Sequence, residues 1–326
     1  MAKFMRIHSE SNLDVVGMPH RRRRRLKYIA VLPSLVTLGN LVCGFAAIHF
    51  ALRAMFAAGA GLVAPTGVTM DNHIVERLLP SFLAIGAMLV FAGMVLDMLD
   101  GLVARLTHKT SEFGAQVDSL ADVVTFGVAP AILVIALMMR EWHSEAVLVT
   151  PLSEQPLGRA MWVCAAAYCI CTAVRLARFN VEHGQAGVNN RSFQGLPSPG
   201  AAAVVASLIT LHEHGGLTIA GVNVVLYVLP IVVLGCGFLM ISRIRYERIT
   251  HLYLIGRRPF KHLPLVVALF VLFISYKAQT LAVLCCLYAL SGPIMMLVTR
   301  YRDRANRLEP GHQATSERPA ERPKTG

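Results

Sequence analysis

Four aspartates carry the chemistry of this sequence. They lie in DMLDGLVARLTHKTSEFGAQVDSLAD, residues 97–122, with the spacing Asp97-x2-Asp100-Gly101-x2-Ala104-Arg105-x8-Gly114-x3-Asp118-x3-Asp122. On a helix, at about 100° per residue, Asp100, Gly101, Ala104 and Arg105 all fall within about 80° of Asp97. One face then holds two acids, two small residues and one guanidinium. The small residues leave room for a ligand against the backbone. After a short polar loop, Gly114, Asp118 and Asp122 recur four residues apart on a second helix, and Thr125 returns to their stripe. The short link makes the two helices antiparallel neighbours, so the stripes can face each other.

The acids stand at the edges of apolar runs, where charge is expensive. A carboxylate at a span centre costs about 2.5–3.5 kcal/mol on insertion scales, and like charges add repulsion. Arg105 supplies one unit of counter-charge, and divalent metal supplies the rest. Oxygen donors with no Cys or His among them select a hard ion, Mg²⁺, Mn²⁺ or Ca²⁺, over zinc. Four acids can hold two ions, and a two-ion clamp suits displacement at phosphorus. One acid could stay free to take a proton from an attacking hydroxyl. The residues themselves point to metal-dependent phosphoryl chemistry at a membrane interface, without naming a substrate.

The elements that must position these acids are membrane helices. The chain has 326 residues, 55% of them hydrophobic and 15% charged, with a mean hydropathy of +0.55. Soluble domains average about 25% charged residues. Apolar runs at 29–52, 80–99, 119–139, 160–177, 200–214, 217–241, 263–277 and 279–299 predict an all-α polytopic membrane protein of about eight transmembrane helices. With that count, all of the 31 Lys and Arg except Arg53, Arg77, Arg140, Arg159 and Lys277 fall on one side. The positive-inside rule then places both termini, and the aspartates, in the cytoplasm.

The net charge of +12 is thus a topology and lipid-headgroup signal. No aromatic-interleaved basic module supports a nucleic-acid partner. The seven cysteines all fall in the expected spans and read as small hydrophobes, and their spacing fits no zinc or disulfide framework. The expected organisation is a basic tail (1–28), a membrane core (29–241), a basic loop with two further helices (242–299) and a disordered tail (300–326).

The aspartate pattern resembles, without a mismatch, the signature of the CDP-alcohol phosphatidyltransferases. LPSLVTLGNLVCGFAAI (Leu32–Ile48), RLARFN (Arg175–Asn180) and FQGLPSPGAA (Phe193–Ala202) are similar to the phosphatidylserine synthase branch of that family. The resemblance implies attack of an alcohol, L-serine in this branch, on the phosphorus next to diacylglycerol in CDP-diacylglycerol, with CMP leaving. It implies a homodimer in the inner membrane with its active site on the cytoplasmic side. It also assigns roles. Asp97, Asp100, Asp118 and Asp122 hold Mg²⁺ or Mn²⁺, two ions in all, and Asp122 is also the general base. Gly101, Ala104, Arg105 and Gly114 line the nucleotide and pyrophosphate site.

The acceptor side is less defined. Arg175 and Arg178 lie at the cytoplasmic end of the fourth span and could hold a serine carboxylate or a lipid phosphate. Asn40 is a buried amide that could face the nucleotide, and Lys109 is a further cation in the loop between the stripes. Choline, glycerol 3-phosphate and inositol are the alternative acceptors. Choline calls for an aromatic cage, and the cytoplasmic loops offer little beyond Tyr246 and Tyr253. A cation transporter would need acids near mid-membrane on several helices, whereas here they cluster on two.

Overall fold

A computed structural model describes residues 20–59, 80–107, 112–142, 150, 153–184, 193–216, 218–219, 222–246 and 276–308. The helices in chain order are α1 (His20–Gly59), α2 (Phe82–Thr107), α3 (Glu112–Asp122), α4 (Ala129–Glu141), α5 (Pro156–Gly184), α6 (Ser198–Glu213), α7 (Val224–Ile241) and α8 (Lys277–Leu308). A π-helical segment, Val123–Val128, fuses α3 to α4. Strand structure among the described residues is limited to two antiparallel pairs of two residues each. These are β1 (Phe193–Gln194) with β4 (Arg245–Tyr246), and β2 (Thr218–Ile219) with β3 (Val222–Asn223).

Six segments of the described residues are long and apolar enough to cross a membrane: Leu35–Ala57, Phe82–Val103, Phe113–Glu141, Pro156–Val181, Val224–Ile241 and Lys277–Arg302. Their outward surfaces are apolar as well. Phe45, Phe56, Leu120, Ile170 and Ile231 are all largely exposed, as suits contact with lipid rather than water. The protein is an all-α, multi-pass membrane protein.

The expected span at 200–214 appears as α6, which has only 16 residues. At about 1.5 Å per residue that is about 24 Å, short of the ~30 Å hydrocarbon core. α6 is an interior helix, and it runs from Ser198 beside Arg175 at one end of the bundle to Glu213 on Arg140 at the other. Ala201, Ala202, Val204, Val205 and Ala206 are buried, and these small side chains let α2, α7 and α8 close around it. The expected span at 263–277 lies outside the described residues, apart from the start of α8.

The end of the bundle away from the aspartates is tied by charge. Arg140 on α4 donates through Nη1 and Nη2 to both carboxylate oxygens of Glu213 on α6, at 3.0 and 2.6 Å. Its Nε and Nη2 also reach Glu141 Oε1. Asn223 caps α7 by accepting from the Val225 amide. That fixes the side-chain amide, so its Nδ2 faces His212 Nδ1 at 2.9 Å. His212 therefore accepts at Nδ1 and donates from Nε2 to Glu141 Oε1 at 3.2 Å. The HEHGG turn (His212–Gly216) is thus a fastener between α4, α6 and α7.

Opposite this fastener, the segment before α6 is held by β1–β4 pairing and by two further bonds, Gly195 N to Ile244 O and Leu196 N to Leu239 O. Gly195 has φ +83°, and a Cβ there would collide with Met240 O. Pro197 and Pro199 then start α6. Tyr246 donates its hydroxyl to Ala289 O at 2.9 Å. Burial pushes this phenol up to about 12, so it stays a donor at physiological pH. α8 is thereby fastened to the same end of the bundle.

Candidate active site

The site is assembled from α1, α2, α3 and α5. On α2 and α3 the carboxylates of Asp97, Asp100 and Asp118 converge, each offering an oxygen within 4.8 Å of the others. Asp100 is buried and accepts from Thr37 Oγ1 on α1 at 2.9 Å. Asp118 Oδ1 is buried with no hydrogen-bond partner among the described residues. Asp122, the last residue of α3, is also buried and stands outside the trio. It accepts from Asn40 Nδ2 on α1 at 3.1 Å, and it is close enough to Asp97 and Asp118 for their charges to interact. The two stripes read from the sequence therefore do face each other, and α1 closes the site from the third side.

A hard divalent cation fits this donor set. Three carboxylates in a low-dielectric setting repel one another strongly. A buried carboxylate oxygen with no partner is an uncompensated group. A single divalent ion placed among Asp97, Asp100 and Asp118 answers both, and the all-oxygen donors match Mg²⁺, Mn²⁺ or Ca²⁺.

The junction after Asp122 explains why Asn40 sits where it does. Pro130 has no N–H, so the Phe126 carbonyl four residues earlier loses its helical partner. The Tyr168 hydroxyl on α5 donates to that carbonyl at 2.9 Å. The Ala129 N–H reaches back to Val124 O, the five-residue spacing of a π turn. This widened turn takes Thr125 off ideal α register. Thr125 is fully buried, and its Oγ1 donates to Asn40 O at 3.0 Å. Asn40 is thus gripped at its backbone by Thr125 while its side chain holds Asp122.

Two glycines make this grip possible. A Cβ on Gly44 would collide with Thr125 Oγ1 and lie 2.8 Å from Thr125 Cα, while one on Gly93 would lie 2.6 Å from Thr125 Cγ2 and 2.9 Å from Asn40 Oδ1. Overpacking such a contact costs about 1–3 kcal/mol. Gly44→Val is therefore expected to lower the melting temperature in detergent by several degrees. An unchanged melting curve would show that α1 does not press on the π turn.

The remaining expected residues are placed as follows. Gly101 and Gly114 are part-buried near the facing ends of α2 and α3, and Ala104 and Arg105 lie in the last turns of α2. Lys109 lies outside the described residues. Arg175 and Arg178 are part-buried on α5. Arg175 donates from Nη1 to Ser198 Oγ at 2.9 Å, and its Nε is buried without a partner among the described residues. Arg175 is near enough to Asp122 for their charges to interact.

Sequence reasoning missed Thr37, and it missed the reciprocal pair of Ser119 on α3 and Asn180 on α5. In that pair Ser119 Oγ donates at 3.2 Å and Asn180 Nδ2 donates back at 2.9 Å. Asn180 ends RLARFN and Ser119 follows Asp118, so that segment and the aspartate stripe are joined by one contact.

Fold and site together define a multi-pass membrane protein with an acidic, metal-competent centre at one end of its bundle. The sequence profile of the CDP-alcohol phosphatidyltransferases matches residues 30–235, and the chain belongs to that family. It is 33% identical over 230 residues to a CDP-diacylglycerol–serine O-phosphatidyltransferase of Mycobacterium leprae, covering 70% of this chain and 61% of that one. It is 31% identical over 205 residues to the protein of that name from Mycobacterium tuberculosis, covering 62% of this chain and 56% of that one. A Methanocaldococcus jannaschii protein of the same name is 34% identical over 181 residues, covering 56% of this chain and 72% of that one. The chain thus spans about 56–61% of the two mycobacterial relatives.

Proposed function

We propose that the protein transfers the phosphatidyl group of CDP-diacylglycerol to L-serine, giving phosphatidylserine and CMP. The observation that carries this reading is the convergence of Asp97, Asp100 and Asp118 beside a separately held Asp122. That is a binding centre with an acid at its edge that can also take a proton. The names of the relatives supply serine as the acceptor.

In this reading the lipid stays in the bilayer with its headgroup over the facing ends of α2 and α3. Asp97, Asp100 and Asp118, with Asp122 at the edge, hold two ions, Mg²⁺ or Mn²⁺. The ions supply charge neutralisation at the pyrophosphate and at departing CMP. Gly101, Ala104 and Gly114 leave room for the nucleotide, and Arg105 adds positive charge. Asp122 draws the proton from the serine hydroxyl as its oxygen attacks phosphorus, and Asn40 keeps the carboxylate aimed. Arg175 faces the acceptor carboxylate. Arg178 and Lys109 are further cations for phosphate.

The same reading puts both termini and the site on the cytoplasmic side of the inner membrane, on the strength of the Lys and Arg distribution. It takes the active form to be a homodimer and keeps the division into 1–28, 29–241, 242–299 and 300–326.

The test is CMP release by the purified full chain in detergent. CDP-diacylglycerol and Mg²⁺ or Mn²⁺ are supplied with serine, choline, glycerol 3-phosphate or inositol in separate reactions. Serine alone is expected to drive release. Release with another alcohol and not with serine would keep the reaction class and remove the acceptor.

A further inference from the structure

The family profile ends at residue 235, so α8 lies beyond it. α8 nevertheless reaches the acceptor side of the site. The ring of Tyr288 lies against the first turn of α6 so closely that a Cβ on Gly200 would stand 2.8 Å from Tyr288 Cε1. Tyr246 flanks Tyr288, with ring centroids 6.1 Å apart, and is itself pinned to α8 through Ala289 O. Gly292 clears space for the Tyr246 ring, since a Cβ there would collide with it. Tyr288 is therefore held from two sides.

Two residues before Gly200, Ser198 Oγ receives the Arg175 guanidinium, whose Nε is buried and unpartnered. Arg175 is near enough to both Tyr288 and Asp122 for charge interaction. Among the described residues the Tyr288 hydroxyl has no hydrogen-bond partner, and Arg175 pairs with no carboxylate. A guanidinium in a spanning helix without an anion is costly. Arg175 has the Asp122 charge nearby but no direct ion pair among the described residues, so its unpartnered Nε can take an anion that arrives with a substrate.

We infer that Tyr288 is a specificity-determining residue, its hydroxyl joining the Arg175 guanidinium to take the carboxylate of the acceptor while Asp122 meets the acceptor's hydroxyl. This rests on the phosphatidyl-transfer reading above and extends it. The helix beyond the family core selects an amino acid over an amino alcohol that lacks the carboxylate.

The test compares Tyr288→Phe with the wild type as full chains in detergent, at saturating CDP-diacylglycerol. Serine and ethanolamine are titrated separately and CMP release is measured. Loss of one hydrogen bond to a charged group predicts a rise of about tenfold in KM for serine. kcat is expected to change by less than about twofold, with KM for CDP-diacylglycerol unchanged and discrimination against ethanolamine reduced by the same factor of about ten. A serine KM within about twofold of wild type overturns the inference and leaves phosphatidyl transfer standing. A parallel loss in KM for both substrates, or a lowered melting temperature, marks Tyr288 as packing only and also overturns it. A wild type whose CMP release does not respond to serine removes the underlying reading and the inference with it.

Discussion

Replacing Asp122 with asparagine is expected to lower kcat for serine-dependent CMP release by about 10²–10⁴-fold, the usual contribution of a general base. The substitution keeps the volume of the side chain. The amide oxygen of the variant can still accept from Asn40 Nδ2, now at 3.1 Å from Asp122 Oδ1, so the link between α1 and α3 survives. Thr125 still grips the Asn40 carbonyl. What is lost is the ability to take a proton, together with one charged donor at the edge of the metal centre. Because Asp122 stands outside the 4.8 Å trio, Asp97, Asp100 and Asp118 keep their arrangement. KM for CDP-diacylglycerol should then stay within a few-fold of wild type. Initial rates of CMP release at saturating substrates check this. A variant with kcat within about tenfold of wild type would mean that the proton leaves by another route.

The aspartate pair of stripes was legible because it is a local pattern. Helical spacing alone puts Asp97 with Asp100 and Asp118 with Asp122, and the short loop makes the helices face. The residues that finish the site were hidden because they come from far along the chain. Thr37 and Asp100 are 63 positions apart, and Asn40 and Asp122 are 82 apart. Periodicity holds no information about such pairs. The sequence marks Asn40 as a buried amide that could face the nucleotide, and only the fold shows that its partner is Asp122.

The π turn was half legible. Pro130 announces a missing N–H, but only the fold shows Tyr168 taking up the orphaned Phe126 carbonyl. An ideal α register carried through Thr125 put it on the aspartate stripe, whereas its hydroxyl serves Asn40. The apolar run of α6 is legible as a helix, but hydropathy cannot separate a helix surrounded by protein from one that faces lipid, and only the fold shows α6 enclosed by its neighbours. The ion pair of Arg140 with Glu213, across α4 and α6, is equally invisible to local pattern.

Removing divalent metal is expected to abolish CMP release, and the same centre predicts an unusual effect on stability. With chelator present, Asp97, Asp100 and Asp118 face one another with no cation between them, and Asp118 Oδ1 is buried without a partner among the described residues. An ion that binds only the folded state stabilises it by about 2.7 kcal/mol at 100 times its dissociation constant. The melting temperature of the wild type in detergent should therefore rise on adding Mg²⁺ or Mn²⁺ after chelation.

Asp118→Asn removes one charge of the trio, so it weakens metal binding and relieves repulsion together. The metal concentration for half-maximal activity is expected to rise by at least about tenfold. In chelator the variant should melt at or above the wild-type temperature, and its response to added metal should shrink. A purely structural Asp118 predicts the opposite sign: a variant less stable than wild type in chelator, with its metal response intact. The two roles are thus separated by the direction of one melting shift, measured without any substrate present.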